Sequence, residues 1–304
     1  MRLSVCITTR NRPQRLETCL RAIWDSSVKP HSVIVSDDSA ENEVQQKNHQ
    51  VVEKYPTTTY LTGPRSGVCA NRNNAVNAVI DTDLVAFVDD DICVDPDFIA
   101  CAVERYNQME QKHSSSSILS GVSRDGHGHE MVASKLSFRG YFCPADIPQA
   151  VVIHAAVFPR SFFEQEQWDE NIFFGYEDAE LCLRALKRGY RILHCPELKV
   201  LNTAFKKGTL VVPSVGSLTD YNIHIDAARL YVGIKRYKDL FPNPFKLVAF
   251  LAIYFTHMNI YLSRKHALLA WPQIIQRSHI QQLLPRSSSD ATARKLESAD
   301  DKSL

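Results

Sequence analysis

The chain has 304 residues, 44% of them hydrophobic and 23% charged, which is enough to bury a large core and to form one α/β domain with an appendage. A net charge of +1 selects no class of partner, and no nucleic-acid ligand is expected. The eight cysteines form no C-x-x-C pair and mostly have apolar neighbours, which argues against a disulfide framework or a zinc site and for core residues in a reducing compartment.

Leu3 to Thr8 reads as a first strand, and Arg2 leads into it with no charged-then-apolar leader, so a cytoplasmic location is expected. Asn11-Arg12-Pro13 reads as a helix start, followed by Leu16, Cys19, Leu20, Ile23 and Trp24 at helical spacing. Ser32 to Ser36 makes a second strand ending at Asp37-Asp38, and Asn42 to Tyr55 a second helix. A short strand at Thr58 to Leu61 precedes Gly63-Pro64-Arg65-Ser66-Gly67 and a helix from Cys69 to Ile80. Leu84 to Val88 is an apolar, β-branched run that suits a strand buried on both faces, and it stops at Asp89-Asp90-Asp91. Strand and helix thus alternate, which predicts a parallel, nucleotide-binding type of sheet. The first turn, Thr8 to Arg12, carries no G-x-G-x-x-G, so a dinucleotide fold of the Gly-fingerprint kind is excluded.

Phe98, Ala102, Tyr106 and Met109 mark a further helix, and Ile118 to Val122 and Ala150 to Phe158 read as strands. Between these strands, residues 123–148 are Gly-rich and polar, the composition of a lid or binding loop. His127-Gly128-His129-Glu130 invites a metal reading, but no further ligands converge in sequence and a polar loop accounts for it. Glu177-Asp178 opens a helix whose apolar face is Leu181, Cys182, Ala185 and Leu186.

The charge then changes sign, since residues 1–204 hold 21 basic and 27 acidic side chains and residues 205–295 hold 13 and 4. Tyr221 to Tyr237 reads as a helix, Pro242-Asn243-Pro244 as a break, and Phe245 to Leu262 as a helix that is apolar nearly all round. Eighteen helical residues span about 27 Å, slightly less than a bilayer's hydrocarbon thickness. With Arg264, Lys265 and Trp271 following, the stretch 245–271 fits either an element resting on a membrane or a helix packed on the catalytic domain or a second copy. Domains are expected at 1–205 and 206–284, with a disordered tail at 285–304 rich in Ser, Asp, Lys and Ala.

Four polar stretches fall at strand ends or helix starts on one edge of the expected sheet: Thr8 to Arg12, Asp37-Asp38, Arg65 to Asn73 and Asp89 to Asp91. Taken singly, each is also explained as a turn or a solvated face. Together they offer what a nucleoside diphosphate requires: a carboxylate for a base edge, a guanidinium for a phosphate, and carboxylates for a divalent cation.

The ordered set resembles the inverting, GT-A type glycosyltransferases of family 2 over residues 3 to 205. The opening motif is mirrored in Ser4 to Arg12, the D-D-x-S motif in Asp37-Asp38-Ser39, and the G-x-x-x-x-R-N stretch in Gly67 to Asn73. The D-x-D motif corresponds to Asp89-Asp90-Asp91 and the E-D-x-E-L helix start to Glu177 to Leu181. The resemblance implies a nucleotide-diphosphate sugar donor held by Thr8, Arg10, Asp37, Asp38, Arg72, Asp89 and Asp90. It also implies Mg²⁺ or Mn²⁺ on Asp91 with Asp89, Asp178 as general base, and Glu177 positioning a glycan or lipid-linked acceptor. Two departures stand out. The metal-binding His often found after the E-D helix is replaced by Asn202, with His194 nearby in a strand setting, and no Q-x-x-R-W follows, so one sugar per encounter is expected. The expected product is a surface polysaccharide or glycolipid. The rival readings are nucleotidyl transfer and nucleotide-sugar binding without turnover.

Overall fold

The computed structural model describes residues 1–203 and 213–283. The expected boundary at residue 205 and the tail at 285–304 lie outside the described residues. The N-terminal half runs β1 (Leu3–Thr9), α1 (Pro13–Trp24), β2 (Ser32–Asp37), α2 (Asn42–Val52), β3 (Thr58–Thr62), α3 (Val68–Asn77), β4 (Leu84–Asp89), β5 (Ile92–Val94) and α4 (Phe98–Asn107). It continues through α5 (Gln111–Ser114), β6 (Ser117–Asp125), β7 (Glu130–Met131), β8 (Ser134–Leu136), β9 (Phe142–Pro144), β10 (Ala156–Pro159), α6 (Glu177–Lys187) and β11 (Arg191–Asn202). After the undescribed stretch come β12 (Pro213–Val215), β13 (Leu218–Thr219), α7 (Asp220–Lys235), α8 (Pro244–Arg264) and α9 (Trp271–Arg277).

The main sheet has the order β3-β2-β1-β4-β10-β6-β11-β5, with β7 on β6. Its first four strands are parallel, as the alternation of strand and helix demands. β10 then enters antiparallel between β4 and β6, and β5 closes the far edge antiparallel to β11, so the second half is mixed. The strand expected over Ala150 to Phe158 is shorter, because Ile153–Ala155 turns as a 3₁₀ helix before Ala156. The 123–148 segment is ordered by two small pairings, β6 with β7 and β8 with β9.

Alternation along β2 sends Val33 and Val35 into the core under α1 and α2, and Ile34 into the core on the other face under α3 and α6. The second core is rich in rings, with Phe87 edge-on to both Trp168 and Phe163 at centroid distances of 5.2 Å. α7 joins the two parts of the molecule: Ala228, Tyr231 and Val232 belong to the sheet core, whereas Ile223, Ala227 and Leu230 pack with α8 and α9. Gly233 allows the close approach of α8, since a Cβ there would lie 2.0 Å from the Phe250 ring.

α8 buries a four-residue-period stripe, Phe250, Tyr254, Met258 and Leu262, each at 2% exposure or less. Burial of each such side chain contributes roughly 1.5–3 kcal/mol. Other apolar positions on the helix stay open, with Phe245 at 87% and Val248 at 67% exposure.

Candidate active site

The register of β1 assembles the first half of the site. Thr8 pairs with Ser36 of β2 on one side and with Asp89 of β4 on the other, so the carboxyl ends of the three strands meet at one edge. Arg10 lies exposed at the rim. Asp38 accepts the Arg65 backbone N–H at 2.9 Å, and burial raises its pKa above the ordinary carboxylate range. Asp37, one residue earlier, points to the opposite face. It is fully buried and accepts from the Ser39 N–H, Asn48 Nδ2 and Tyr60 Oη, each at 2.8 Å. The structure therefore corrects Asp37 from a donor contact to the residue that ties the β2 turn to α2 and β3.

The triplet divides in the same way. Asp90 is 3% exposed and is bound by Thr9 Oγ1 at 2.8 Å and Arg12 Nη1 at 3.0 Å, so it braces the strand ends and does not meet the donor. Asp89 faces Arg72 Nη2 at 3.2 Å and His154 Nδ1 at 3.8 Å. Burial opposes its charge, but Arg72, with His154 and Arg12 beside it, outweighs burial and holds the carboxyl below its usual pKa. Among the described residues the Asp91 carboxylate has only long contacts, 3.4 Å to Arg12 and 3.4 Å to Arg15. Burial, with Asp89 and Asp90 close by, pushes its pKa up to about 6.

Asp91 is thus a carboxylate in a negative field that its arginines only partly offset. Among the described residues no group of three or more His, Cys, Asp or Glu converges as a ready-made cage for a metal. A small divalent cation does not require one, because it is commonly held by one or two carboxylates plus the substrate's phosphates. Asp91, with Asp89 on the same turn, fits that donor set. Asn202 pairs with Ile92 across β5 and β11, and Thr203 donates its N–H and its hydroxyl to the Asp91 carbonyl, both at 2.8 Å, so position 202 flanks the triplet. His194 is exposed on β11 opposite Ser120. His127 is likewise exposed, and His129 pairs with Asp125 at 3.0 Å.

The loop before α6 builds the second half. Gly175 has φ +85° and Tyr176 φ +63°, a left-handed conformation that is uncommon for a non-glycine residue and costs of order 1–3 kcal/mol. That turn delivers Glu177 and Asp178 at the helix N-terminus, where the macrodipole favours acids. Asp178 Oδ1 accepts the Ala179 N–H at 2.7 Å. Burial first, and the adjacent Glu177 second, push the Asp178 pKa up to about 7.

Arg72 joins the two halves. Its Nη1 lies 3.0 Å from Glu177 Oε1, its Nη2 binds Asp89, and its guanidinium sits 4.9 Å above the centre of the Trp168 ring. At 2% exposure its Nη1 and Nη2 are committed to these carboxylates, with its Nε buried and unpartnered among the described residues, so in place of the expected contact with the diphosphate it positions the two carboxylates. Reading the sequence missed His154, which lies in the 3₁₀ turn beside Asp89 and is held below its ordinary pKa by burial. No periodicity or motif in the sequence singles it out.

A curled mixed sheet with an acidic turn at the end of β4 and a second acidic pair opening α6 defines a GT-A glycosyltransferase. Residues 4–165 match the description Glycosyl transferase family 2, and the chain belongs to that family. A Bacillus subtilis relative, the uncharacterized glycosyltransferase YwdF, is 22% identical over 201 residues, 66% of this chain and 74% of its own. Among solved structures, residues 1–349 of TarS from S. aureus superpose with a TM-score of 0.61 at 17% identity, covering 92% of this chain and 80% of that one. The mannosyltransferase PcManGT from Pyrobaculum calidifontis, solved with GDP-Man and Mn²⁺, gives 0.56 at 16% identity, covering 98% and 80%. TarS 1–349 has also been solved with UDP-GlcNAc, with a TM-score of 0.58 at 18% identity and coverage of 91% and 79%.

Proposed function

We propose that the protein transfers a sugar from a UDP- or GDP-linked donor to a hydroxyl acceptor with inversion at the anomeric carbon. One observation carries this reading: a single buried guanidinium, Arg72, ties the strand-end carboxylate Asp89 to Glu177, so the helix start that carries Asp178, a base of raised pKa, is fastened to the end of β4. Asp178 takes the acceptor hydroxyl's proton as that oxygen attacks the anomeric carbon. The bond from this carbon to the diphosphate oxygen breaks, and its electron pair leaves on the diphosphate. A pKa near neutrality suits a base that must be charged at work yet strong enough to pull the proton. Glu177, held by Arg72, keeps the N-terminal turn in place, and Thr8, Arg10 and Asp38 line the nucleoside side. Asp91 and Asp89 are the residues that would hold a divalent cation, which would supply positive charge to the leaving diphosphate. Arg12 and Arg15 hold the triplet's negative charge in balance around that position.

The acceptor we assign is a glycan or lipid-linked glycan of a surface polysaccharide or glycolipid, met at the cytoplasmic face of a membrane. Support for the membrane comes from α8: Phe245, Val248, Ile253, Phe255 and Ile260 are exposed, and between Asp239 and Asp290 the sequence has no acidic residue while Lys246, Arg264 and Lys265 are present. Loss of anionic-liposome binding in Phe245→Glu with Val248→Glu is the expected result, and unchanged binding would remove the membrane from the proposal.

Release of nucleoside diphosphate from a panel of UDP- and GDP-sugars, with Mn²⁺, tests the reaction. It should occur with the wild type and fall steeply in Asp178→Asn. Pyrophosphate release from a nucleoside triphosphate would assign nucleotidyl transfer instead, and donor binding with no release under any condition would assign a binding protein.

A further inference from the structure

Around the helix N-terminus that carries Asp178, aromatic rings come together in numbers that scattered surface residues do not reach. On the first turns of α7, Tyr221 packs against Phe174 at a centroid distance of 5.6 Å and His224 stacks on Phe173 at 4.7 Å. On the β8–β9 hairpin, Phe142 stacks on Tyr176 at 5.0 Å, with an interplanar angle of 25°. Both groups are fastened to residues 173–176, the loop that delivers Glu177 and Asp178. The rings remain open to solvent: Tyr221 is 41%, Tyr141 37% and Phe142 42% exposed. Tyr221 and Phe142 thus pack on Phe174 and Tyr176, within four residues of Asp178.

We propose that Tyr221, Phe174, Tyr141 and Phe142 form an acceptor subsite that takes a sugar ring against aromatic faces, with Glu177 receiving one of its hydroxyls. Glu177 supplies a second, independent observation. Its side chain is only 10% exposed and its Oε2 is buried, an acceptor atom for which the described residues provide no donor. A pyranose offers both halves of the match: a face of C–H bonds with slight positive charge for the negative face of an aromatic ring, and hydroxyls for the carboxylate. A plain alkyl chain leaves Glu177 unsatisfied. A quaternary ammonium carries no hydrogen-bond donor and likewise leaves Glu177 Oε2 unsatisfied. The turn before β9 is fixed in place, because Gly140, at φ +80°, leaves only 3.0 Å between a would-be Cβ and Arg229 Cγ. The platform is thus formed before substrate arrives, which lowers the ordering cost of binding.

The inference rests on Asp178 being the base of the proposed reaction, and its test separates the two. Saturation-transfer NMR on the full chain loaded with UDP and Mg²⁺ uses as probes the methyl glycosides of glucose, galactose, N-acetylglucosamine and mannose, with n-octanol and tetramethylammonium as rivals. At least one glycoside should be saturated, most strongly at C–H protons of one ring face, and the rivals should not. Tyr221→Ala and Phe142→Ala should each reduce that signal several-fold with thermal midpoints unchanged, whereas Tyr221→Phe and Phe142→Tyr, which keep the rings, should retain it. The subsite is overturned if no glycoside is saturated, if both Ala variants keep the signal, or if octanol or tetramethylammonium is saturated instead. Donor turnover is scored separately on the wild type: release without glycoside binding removes the subsite and leaves the reaction, and glycoside binding without release does the reverse.

Discussion

The acids of this protein fall into two groups that the fold treats in opposite ways. At the end of β4, three carboxylates are compensated: Asp89 by Arg72, Asp90 by Thr9 and Arg12, and Asp91 in part by Arg12 and Arg15. At the start of α6, Glu177 is compensated by Arg72, while the carboxylate of Asp178 has no cation paired with it among the described residues, accepts the Ala179 backbone N–H and keeps a raised pKa. The difference teaches that carboxylate number does not mark the reacting group; the arrangement of cations does. Charge left over at the strand end suits binding another cation, and charge left over at the helix start suits taking a proton.

The largest expected effect breaks the second group. Asp178→Asn should lower transfer by about 10²–10⁴-fold, the range for a positioned general base, read as nucleoside diphosphate release. In the wild type the rate should rise with pH through about 7, where Asp178 loses its proton. Stability runs the other way. A carboxyl whose folded pKa lies above its unfolded value favours the fold while protonated, so its contribution is complete below the unfolded pKa and is lost as pH rises through about 7. Asp178→Asn should therefore be more stable than the wild type at pH 8, by about 2 kcal/mol after discounting for solvent access, and should lose that advantage by about pH 4. Equal thermal midpoints at pH 8 would show that Asp178 is not held against its own charge.

Next in size is the bridge between the groups. Arg72→Met leaves two carboxylates without their shared cation in a poorly solvated place, and should cost about 3–5 kcal/mol in chemical denaturation. A loss under about 1 kcal/mol, with a raised donor KM, would return Arg72 to direct contact with the diphosphate.

A smaller contrast separates neighbours that look alike in sequence. Asp37→Ala removes the acceptor for four donors and should destabilise by about 1–3 kcal/mol, whereas Asp38→Ala should leave the thermal midpoint near the wild type and raise the donor KM. This pair also marks what could be read from the sequence and what could not. The strand and helix alternation up to Asp89 was legible because apolar periodicity follows secondary structure directly. The strand's own two-residue period separates Asp37 from Asp38 once the faces are known, as Val33 and Val35 share the face of Asp37. Arg72 was singled out through the motif it belongs to, but its buried bridge was not legible, since its partners Asp89 and Glu177 arrive from distant parts of the chain. The same holds for His154 and for the rings around Asp178, which come from the hairpin, the loop before α6 and α7.

The smallest effect sharpens the first group. The register of β5 and β11 sets position 202 beside the triplet, and Asn there offers a neutral amide where an imidazole nitrogen would be a far better ligand for Mn²⁺. With Asp91 already in a negative field, added ligand strength should translate into affinity rather than into a new fold. Asn202→His should therefore tighten Mn²⁺ binding about tenfold, about 1.4 kcal/mol, as titrated by calorimetry in the presence of UDP. The gain should shrink as pH falls below about 6.5, because protonated imidazole cannot ligate. An unchanged affinity would mean that the cation meets only Asp91, Asp89 and the phosphates, and that the strand end was shaped for its balance with Arg12 and Arg15 without a third protein ligand.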